Sequence, residues 1–189
     1  MRIVAGKHRG RTLAAPKGRD TRPTAARARE ALFNILAHGG LGPNGGPAIE
    51  EDTLVLDAFA GTGAFAFEAL SRGAKAATLL DTDRAALVAA TANATALKEQ
   101  ANVAVLARDA ARPGKADRGH DLVFLDPPYG KGLATAALAA LARGGWIADE
   151  ALVVAETGAK EVLALPEGFA VLDERTYGAA KFTLMRYRA

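Results

Sequence analysis

The 189-residue sequence contains no cysteine and only three histidines, His8, His38 and His120. The absence of cysteine excludes disulfide bonds, thiolate metal sites and a cysteine nucleophile. The three histidines lie far apart along the chain, so no zinc site and no other bound metal is expected. A chain of this length predicts one domain with a sizeable core.

Long apolar segments are also missing. No uninterrupted apolar run approaches the ~20 residues that span a bilayer, and Met1-Arg2-Ile3-Val4 lacks the apolar region of a signal peptide. Hydrophobic residues make up 50% of the chain and charged residues 24%, which is typical of a packed soluble domain. We therefore expect a cytoplasmic protein without membrane contact, and a monomer by default.

Charge is distributed unevenly, although the formal net charge is only +3. Residues 1–30 carry nine cationic and two anionic side chains, a net charge of +7, and residues 31–189 carry −4. A basic segment on a mildly acidic body favours a polyanionic partner. The alternative is a solvated charge run. We predict that RNA phosphates are bound by Lys7, Arg9, Arg11 and Arg22.

Residues 1–40 are predicted to form a basic extension that consists of a hairpin and a helix. Short, partly apolar runs at residues 2–5 and 11–14 flank a turn that contains two glycines. The helix is predicted to begin at Arg22-Pro23-Thr24, and its apolar residues follow helical spacing until Gly39-Gly40.

After a loop rich in glycine and proline, residues 53–189 alternate strand and helix patterns and are predicted to form the main domain. Short apolar runs separated by helices favour a mostly parallel α/β sheet covered on both faces. Two final strands, with no room for a helix between them, predict an antiparallel C-terminal hairpin. The predicted strands cover residues 54–56, 77–80, 103–106, 122–125, 152–154, 169–173 and 182–187, and the helices cover residues 64–72, 84–98 and 133–143.

A glycine-containing loop follows the first predicted strand, in the run from Asp57 to Gly63. In a parallel sheet this loop lies at the carboxyl end of a strand, where such folds bind ligands. Glycines there allow a ligand to approach the backbone closely, and Asp57 adds a carboxylate. The pattern is weak alone, because dinucleotide-binding enzymes use the same turn and the glycines could serve only to tighten it.

Carboxylates also follow the next two strands. Asp81 comes 20 residues after Gly61, where its oxygens could accept hydrogen bonds from the ribose of NAD or of S-adenosylmethionine. Asp83 competes for this role, and one of the two is expected to be a helix N-cap. Asp109 could reach an adenine amine in the same groove, or be a solvated turn residue.

The most informative motif is Asp126-Pro127-Pro128-Tyr129, directly after an apolar strand. Two successive prolines form a stiff turn that exposes carbonyl groups but no N–H. With the Asp126 carboxylate they provide acceptors for the two protons of an exocyclic base amine, and Tyr129 could stack on the base. The alternative is that the prolines merely end a buried strand, but an unpaired buried aspartate would be costly.

Taken together, these motifs resemble the bacterial 16S rRNA guanine-N2 methyltransferase family over residues 1–187. The matching segments are Arg2 to Lys7, Thr21 to Thr24, Arg29 to Leu36, Asp57 to Gly63, Glu68 to Gly73 and Asp126 to Gly130.

The resemblance implies a Rossmann-like class I S-adenosylmethionine-dependent methyltransferase fold with a seven-stranded sheet. It also implies ribosomal RNA, or a small-subunit ribosomal particle, as the partner, with Asp126, Pro127 and Tyr129 around the target base. A DNA adenine, a protein glutamine and NAD-dependent oxidation remain the alternative chemistries. The implied cofactor contacts are Asp57, Phe59, Gly61, Gly63, Asp81, Asp109 and Ala110.

Overall fold

The computed structural model describes residues 1–16, 23–130 and 132–189. Within these ranges the chain forms a seven-stranded sheet with helices on both faces. The strands are β1 (Leu54–Ala58), β2 (Ala76–Asp81), β3 (Val103–Ala107), β4 (His120–Leu125), β5 (Ile147–Gly158), β6 (Phe169–Tyr177) and β7 (Ala180–Tyr187). The helices are α1 (Pro23–His38), α2 (Ala64–Ser71), α3 (Arg84–Leu97) and α4 (Leu133–Arg143), with a short 3-10 turn at Pro43–Gly45.

The strand order is β3-β2-β1-β4-β5-β7-β6. Strands β1 to β5 are mutually parallel, and β7 pairs antiparallel with both β5 and β6. The predicted fold, a mostly parallel sheet with an antiparallel C-terminal hairpin, is confirmed. The chain winds outward in opposite directions from β1 and β4, so a topological switch point lies between them. Open α/β sheets bind ligands at the carboxyl ends of the strands at this point.

Strand side chains alternate between two hydrophobic clusters, one on each face of the sheet. The cluster under α1, α2 and α3 includes Val55, Leu79 and Leu122. The next residue of each strand belongs to the cluster under α4. The sheet is therefore buried on both sides, which explains why its strands read as short, nearly continuous apolar runs.

The N-terminal extension shares the first of these cores. Ile3, Leu13, Leu32 and Phe33 are buried in the same cluster as Phe67 of α2. Burial of each large apolar side chain contributes roughly 1.5–3 kcal/mol. The extension is thus packed against the body by hydrophobic contacts as well as joined to it by the loop after α1.

The predicted N-terminal hairpin contains a single antiparallel bridge, between Arg2 and Thr12, where two longer strands were expected. The ladder stops because the backbone N–H groups of Val4 and Ala5 donate to the Glu68 carboxylate of α2, at 2.8 and 3.1 Å. Gly6 has a φ of +80°, and a Cβ there would lie 1.7 Å from the Ser71 carbonyl oxygen, so glycine is required. The turn is therefore docked on α2.

Strand β5 is much longer than the predicted residues 152–154, because it extends from Ile147 through Glu156 to Gly158. Polar residues on both sides of the apolar run concealed these extensions. The other strand and helix positions agree with prediction to within a few residues, and helix α1 begins at Pro23. The predicted RNA contact Arg22 lies outside the described residues.

Candidate active site

A cavity of about 760 Å³ opens at the carboxyl ends of the parallel strands. Its walls come from the loops after β1, β2, β3 and β4, from the end of β5, and from the N-terminal extension through Met1, Ala15 and Arg29. This volume lies within the range of small-molecule sites in proteins. The predicted site residues that line it are Phe59, Gly61, Asp81, Asp109, Ala110, Asp126, Pro127 and Tyr129.

The loop after β1 presents its backbone to the cavity. Gly61 has a φ of +55°, and a Cβ built there meets no atom within 4 Å. Phe59 also adopts a left-handed conformation, with a φ of +69°, which is uncommon for a bulky residue and concentrates at functional sites. A ligand can therefore approach the chain closely at Gly61.

Asp57 and Gly63 lie behind this wall and not in it. Asp57 is only 1% exposed, and its Oδ2 accepts a hydrogen bond from the backbone N–H of Ala66, in the first turn of α2, at 3.1 Å. Burial raises the pKa of Asp57 well above its usual range. A Cβ on Gly63 would lie 2.6 Å from side-chain atoms of Leu79 and of Phe67. Both residues shape the loop from inside the protein.

Asp81 and Asp83 differ in the hydrogen bonds that their side chains make. Asp83 is the N-cap of α3, and its Oδ1 accepts from the N–H groups of Ala85 and Ala86. Asp81 instead connects two loops, because its Oδ2 accepts from Gly61 N–H at 2.7 Å and its Oδ1 from Asp83 N–H at 2.8 Å. Each carboxylate oxygen has two lone pairs, so Asp81 retains acceptor capacity toward the cavity.

Asp109 and Ala110 line the cavity after β3. The Asp109 carboxylate caps its own turn, since Oδ1 accepts from Ala111 N–H at 2.9 Å and Oδ2 lies 3.3 Å from Arg112 Nε. Ala110 is buried. This turn forms a rigid wall of the cavity beside the loop after β2.

The Asp126 side chain makes no hydrogen bond to any other described residue, so its carboxylate is available for a ligand. Asp126 is exposed and lines the cavity, whose walls desolvate its carboxyl group. This burial, with a further contribution from the negative charge of Glu156, raises the pKa of Asp126 to about 7. The group thus changes charge near neutral pH.

Tyr129 lies at the cavity rim, with 42% of its surface exposed. Its hydroxyl donates a hydrogen bond to Glu156 Oε1. The following residue, Gly130, donates its N–H to Glu161 Oε2 at 3.1 Å. Two carboxylates at and just after the end of β5 thus hold the turn that follows β4.

Three charged residues of the cavity were not identified from sequence: Glu156, Arg29 and Arg108. Arg29, on α1, is only 5% exposed, and its Nη2 donates to the Arg2 carbonyl at 3.2 Å. Desolvation lowers the pKa of Arg29, opposed by the charges of Glu68 and Glu156. Burial likewise raises the pKa of Glu156. A carboxylate directly after Val153-Val154-Ala155 repeats the signal that marked Asp126, and could have identified Glu156.

Phe65 is a further cavity residue that sequence analysis missed. Its ring stacks on Phe124 of β4 with centroids 5.0 Å apart, and Phe124 in turn contacts Phe33 of α1. The sequence carried no distinguishing signal, because Phe65 is one apolar residue among many in α2. It extends the hydrophobic core into the cavity wall.

The cationic residues of the N-terminal turn are not near this cavity. Lys7 N–H donates to the carbonyl of Ser71, at the end of α2, and Lys7 Nζ lies 2.6 Å from Glu99 Oε1, just after α3. Arg11 Nη2 donates to the carbonyl of Ala96 at 2.9 Å. Because α2 and α3 begin at the cavity and run to the opposite edge of the sheet, the turn, with the exposed Arg9, lies at that far edge.

No helix in the described ranges is long and apolar enough to cross a membrane. The same residues contain no group of three or more side chains arranged to hold a metal ion.

The family model described as "Conserved hypothetical protein 95" matches residues 1–186. Ribosomal RNA small subunit methyltransferase D of Escherichia coli K12 is 38% identical over 192 residues, which cover 100% of this chain and 91% of that protein. The protein of the same name from Haemophilus influenzae is 36% identical, with 97% and 92% covered. The solved structure of the Escherichia coli protein yhhF superposes with a TM-score of 0.82 at 36% identity, over 100% of this chain and 98% of that one. The chain therefore belongs to the ribosomal RNA small subunit methyltransferase D family, as its sequence motifs indicated.

Proposed function

We propose that this protein transfers a methyl group from S-adenosylmethionine to the exocyclic N2 amine of a guanine in the RNA of the small ribosomal subunit. The observation that carries the proposal is that the Asp126–Tyr129 turn and the Gly61–Asp81 loops line one cavity. The names of the relatives, which describe methylation of small-subunit ribosomal RNA, support the substrate class.

The residues around Gly61 fit the proposed cofactor. The open side of Gly61 can accommodate a ligand against the backbone, and Asp81 has acceptor capacity left for ribose hydroxyls. The turn at Asp109 and Ala110 lines the same cavity as Asp81 and is assigned to the adenine ring. Asp57 and Gly63 contribute indirectly, by holding the loop and α2 in position.

The residues of the Asp126 turn are suited to an amine acceptor. Bound S-adenosylmethionine supplies a methyl group that is already electrophilic because it is attached to a sulfonium. The Asp126 carboxylate and the Pro127 carbonyl accept hydrogen bonds from the two N–H groups of the amine, which orients the nitrogen lone pair for in-line attack. After transfer the nitrogen is positively charged and acidic, so it releases one proton to solvent. Tyr129 stacks on the base.

The target base must be accessible from outside a helix. A paired base cannot enter a cavity walled on several sides, so the guanine has to be unstacked or part of a loop. Contacts to the surrounding RNA phosphates are assigned to the basic N-terminal extension, including Lys7, Arg9, Arg11 and Arg22.

Product analysis tests this proposal directly. The protein is incubated with methyl-labelled S-adenosylmethionine and either small-subunit RNA or small-subunit particles that lack methylation, and the RNA is then digested to nucleosides. Label in N2-methylguanosine is the expected result, with the Asp126→Ala variant as the inactive control. Label in methylated adenosine, or in protein alone, would replace guanine N2 with another acceptor.

A further inference from the structure

We propose that Glu156 determines base specificity, by accepting a hydrogen bond from the N1–H group of the target guanine while Asp126 holds the neighbouring N2 amine. This inference rests on the proposed function and adds to it the residue that distinguishes guanine from other amine-bearing purines. Neither the motifs of the sequence nor the assigned role of Asp126 includes Glu156.

Strand pairing brings the two carboxylates together. In the parallel pairing of β4 with β5, Leu125 is the partner of Ala155. The next residues, Asp126 and Glu156, therefore lie beside each other at the end of this strand pair. Both line the cavity, and the charge of Glu156 raises the pKa of Asp126. Two acceptors therefore lie side by side in the cavity wall.

The surroundings of Glu156 orient it toward a ligand. Its Oε1 accepts the hydrogen bond of the Tyr129 hydroxyl, and Oε2 accepts no hydrogen bond from any other described residue. Burial raises the pKa of Glu156, whereas the hydrogen bond from Tyr129 and the positive charge of Arg29, in the same cavity, favour its ionised form. An ionised carboxylate can only accept hydrogen bonds, so this position selects for a donor.

Guanine matches this arrangement through two adjacent donors on one edge, the N2 amine and N1–H. A base with the same amine but an unprotonated N1 would place a lone pair against the Glu156 carboxylate. Sites built to bond a polar group discriminate strongly against analogues that lack it, because the buried partner is left without a hydrogen bond. Adenine is disfavoured for this reason, since its N1 is an acceptor.

The competing explanation is that Glu156 serves only to hold Tyr129. In that case the Tyr129→Phe and Glu156→Gln variants should lower activity without changing the choice of base. The two roles separate when the acceptor base is varied, because Glu156→Gln introduces an amide N–H that can donate to an unprotonated N1.

The experiment uses two otherwise identical RNAs, assembled by ligation, with either guanine or 2-aminopurine at the position that carries the label. The base 2-aminopurine keeps the exocyclic amine but has an unprotonated N1 and no O6. The parent protein should prefer guanine in kcat/KM by about 10- to 100-fold. In Glu156→Gln this ratio should fall by about tenfold or more, through loss on guanine and relative gain on 2-aminopurine.

Three further variants complete the test. Glu161→Gln changes the neighbouring carboxylate that holds Gly130, and should keep the parental ratio. Tyr129→Phe should also keep it. Glu156→Asp, which remains an acceptor, should retain the preference for guanine at a lower kcat, and its cofactor affinity by calorimetry reports whether the cavity is intact.

The outcomes distinguish failure of the proposed function from failure of the proposed role of Glu156. If the parent protein does not methylate guanine at all, the proposed function fails. If it does, but Glu156→Gln keeps the parental ratio of guanine to 2-aminopurine, Glu156 does not read N1–H and the inference is overturned.

Discussion

Asp126 combines two properties that decide how the site responds to pH. Both of its oxygens are available as hydrogen-bond acceptors only when the carboxyl group is ionised, because the protonated form carries an O–H donor, and burial together with the charge of Glu156 raises its pKa to about 7. Because this carboxyl is protonated below its raised pKa, its full acceptor capacity is present above pH 7 and is reduced as the pH falls. The two carboxylates titrate as a pair, so a measured pKa belongs to both.

We therefore expect kcat/KM to increase about tenfold between roughly pH 6 and pH 8, as a single ionisation near pH 7 requires. Asp126→Asn, whose amide oxygen still accepts, should show lower activity and a flatter profile. Asp126→Ala should lose most activity but keep cofactor affinity, because Asp126 is assigned to the acceptor base. A pH-rate series with calorimetry checks all three, and an unchanged pH profile in Asp126→Asn would assign the ionisation elsewhere.

Substitutions of Asp81, the last residue of β2, and of Asp83 should separate the loss of cofactor binding from the loss of helix stability. Asp81→Ala removes the acceptor for Gly61 N–H and the proposed ribose contact, so S-adenosylmethionine affinity should fall by about 10- to 100-fold. Asp83→Ala removes the N-cap of α3 and should cost about 0.5–2 kcal/mol of stability with little change in affinity. Calorimetry and denaturant unfolding measure the two effects. Equal losses of affinity would show that Asp83 also binds the cofactor.

Substitution of the two glycines of the loop, Gly61 and Gly63, should impair the protein for different reasons. At Gly61 a valine side chain would project into open space in the cavity, so affinity for S-adenosylmethionine should be lost while stability falls by only about 1–2 kcal/mol for the left-handed backbone. At Gly63 a side chain would collide with Leu79 and Phe67 inside the core, so Gly63→Val should unfold at a clearly lower temperature. Circular dichroism and calorimetry compare them. A Gly61→Val variant with parental affinity would exclude this loop as the cofactor site.

At the scale of elements, cationic side chains of the N-terminal turn that were predicted to bind RNA also make contacts within the protein. Lys7 pairs with the buried Glu99, and Arg11 donates to the last turn of α3. These contacts anchor the turn on α2 and α3, far from the cavity. Phosphate binding by these side chains requires a long RNA that extends from the cavity around to this edge of the protein.

The salt dependence of RNA affinity measures how many of these cations bind phosphate. Each lost contact should reduce the slope of log affinity against log salt by about 0.7–0.9. Arg9→Ala should cause one such reduction, and the triple variant of Lys7, Arg9 and Arg11 to alanine a reduction of roughly 2 to 3 if all three engage. Filter binding over a salt series gives the slopes. Coincident lines for the parent and triple variant would remove the turn from RNA recognition.

At the scale of the whole molecule, residues 1–40 are predicted to be inseparable from the fold. A chain that begins at residue 53 lacks Ile3, Leu13, Leu32 and Phe33, which are buried against α2 and β4. We expect this truncated chain to show no cooperative thermal transition by circular dichroism. The single change Leu32→Ala should cost about 2–5 kcal/mol in the full chain. A stable, cooperatively folding fragment would establish residues 53–189 as an independent domain.

Periodicity and turn residues determined most of the architecture from sequence alone. Apolar runs of three or four residues and the helices between them placed the parallel strands near their true positions, because burial on both faces leaves a local signature. The carboxylates at the ends of β1, β2 and β4 were identified for a similar reason, since a charge directly after an apolar run is conspicuous in sequence.

Tertiary structure alone decided which of these groups face the cavity. Asp57 and Asp126 both follow apolar strands, yet one is buried behind the loop and the other opens onto the cavity. The pairing of β4 with β5, which brings Glu156 beside Asp126, joins residues 30 positions apart in sequence. Local patterns specify which elements form, whereas the direction and partner of a side chain depend on packing between elements that are distant along the chain.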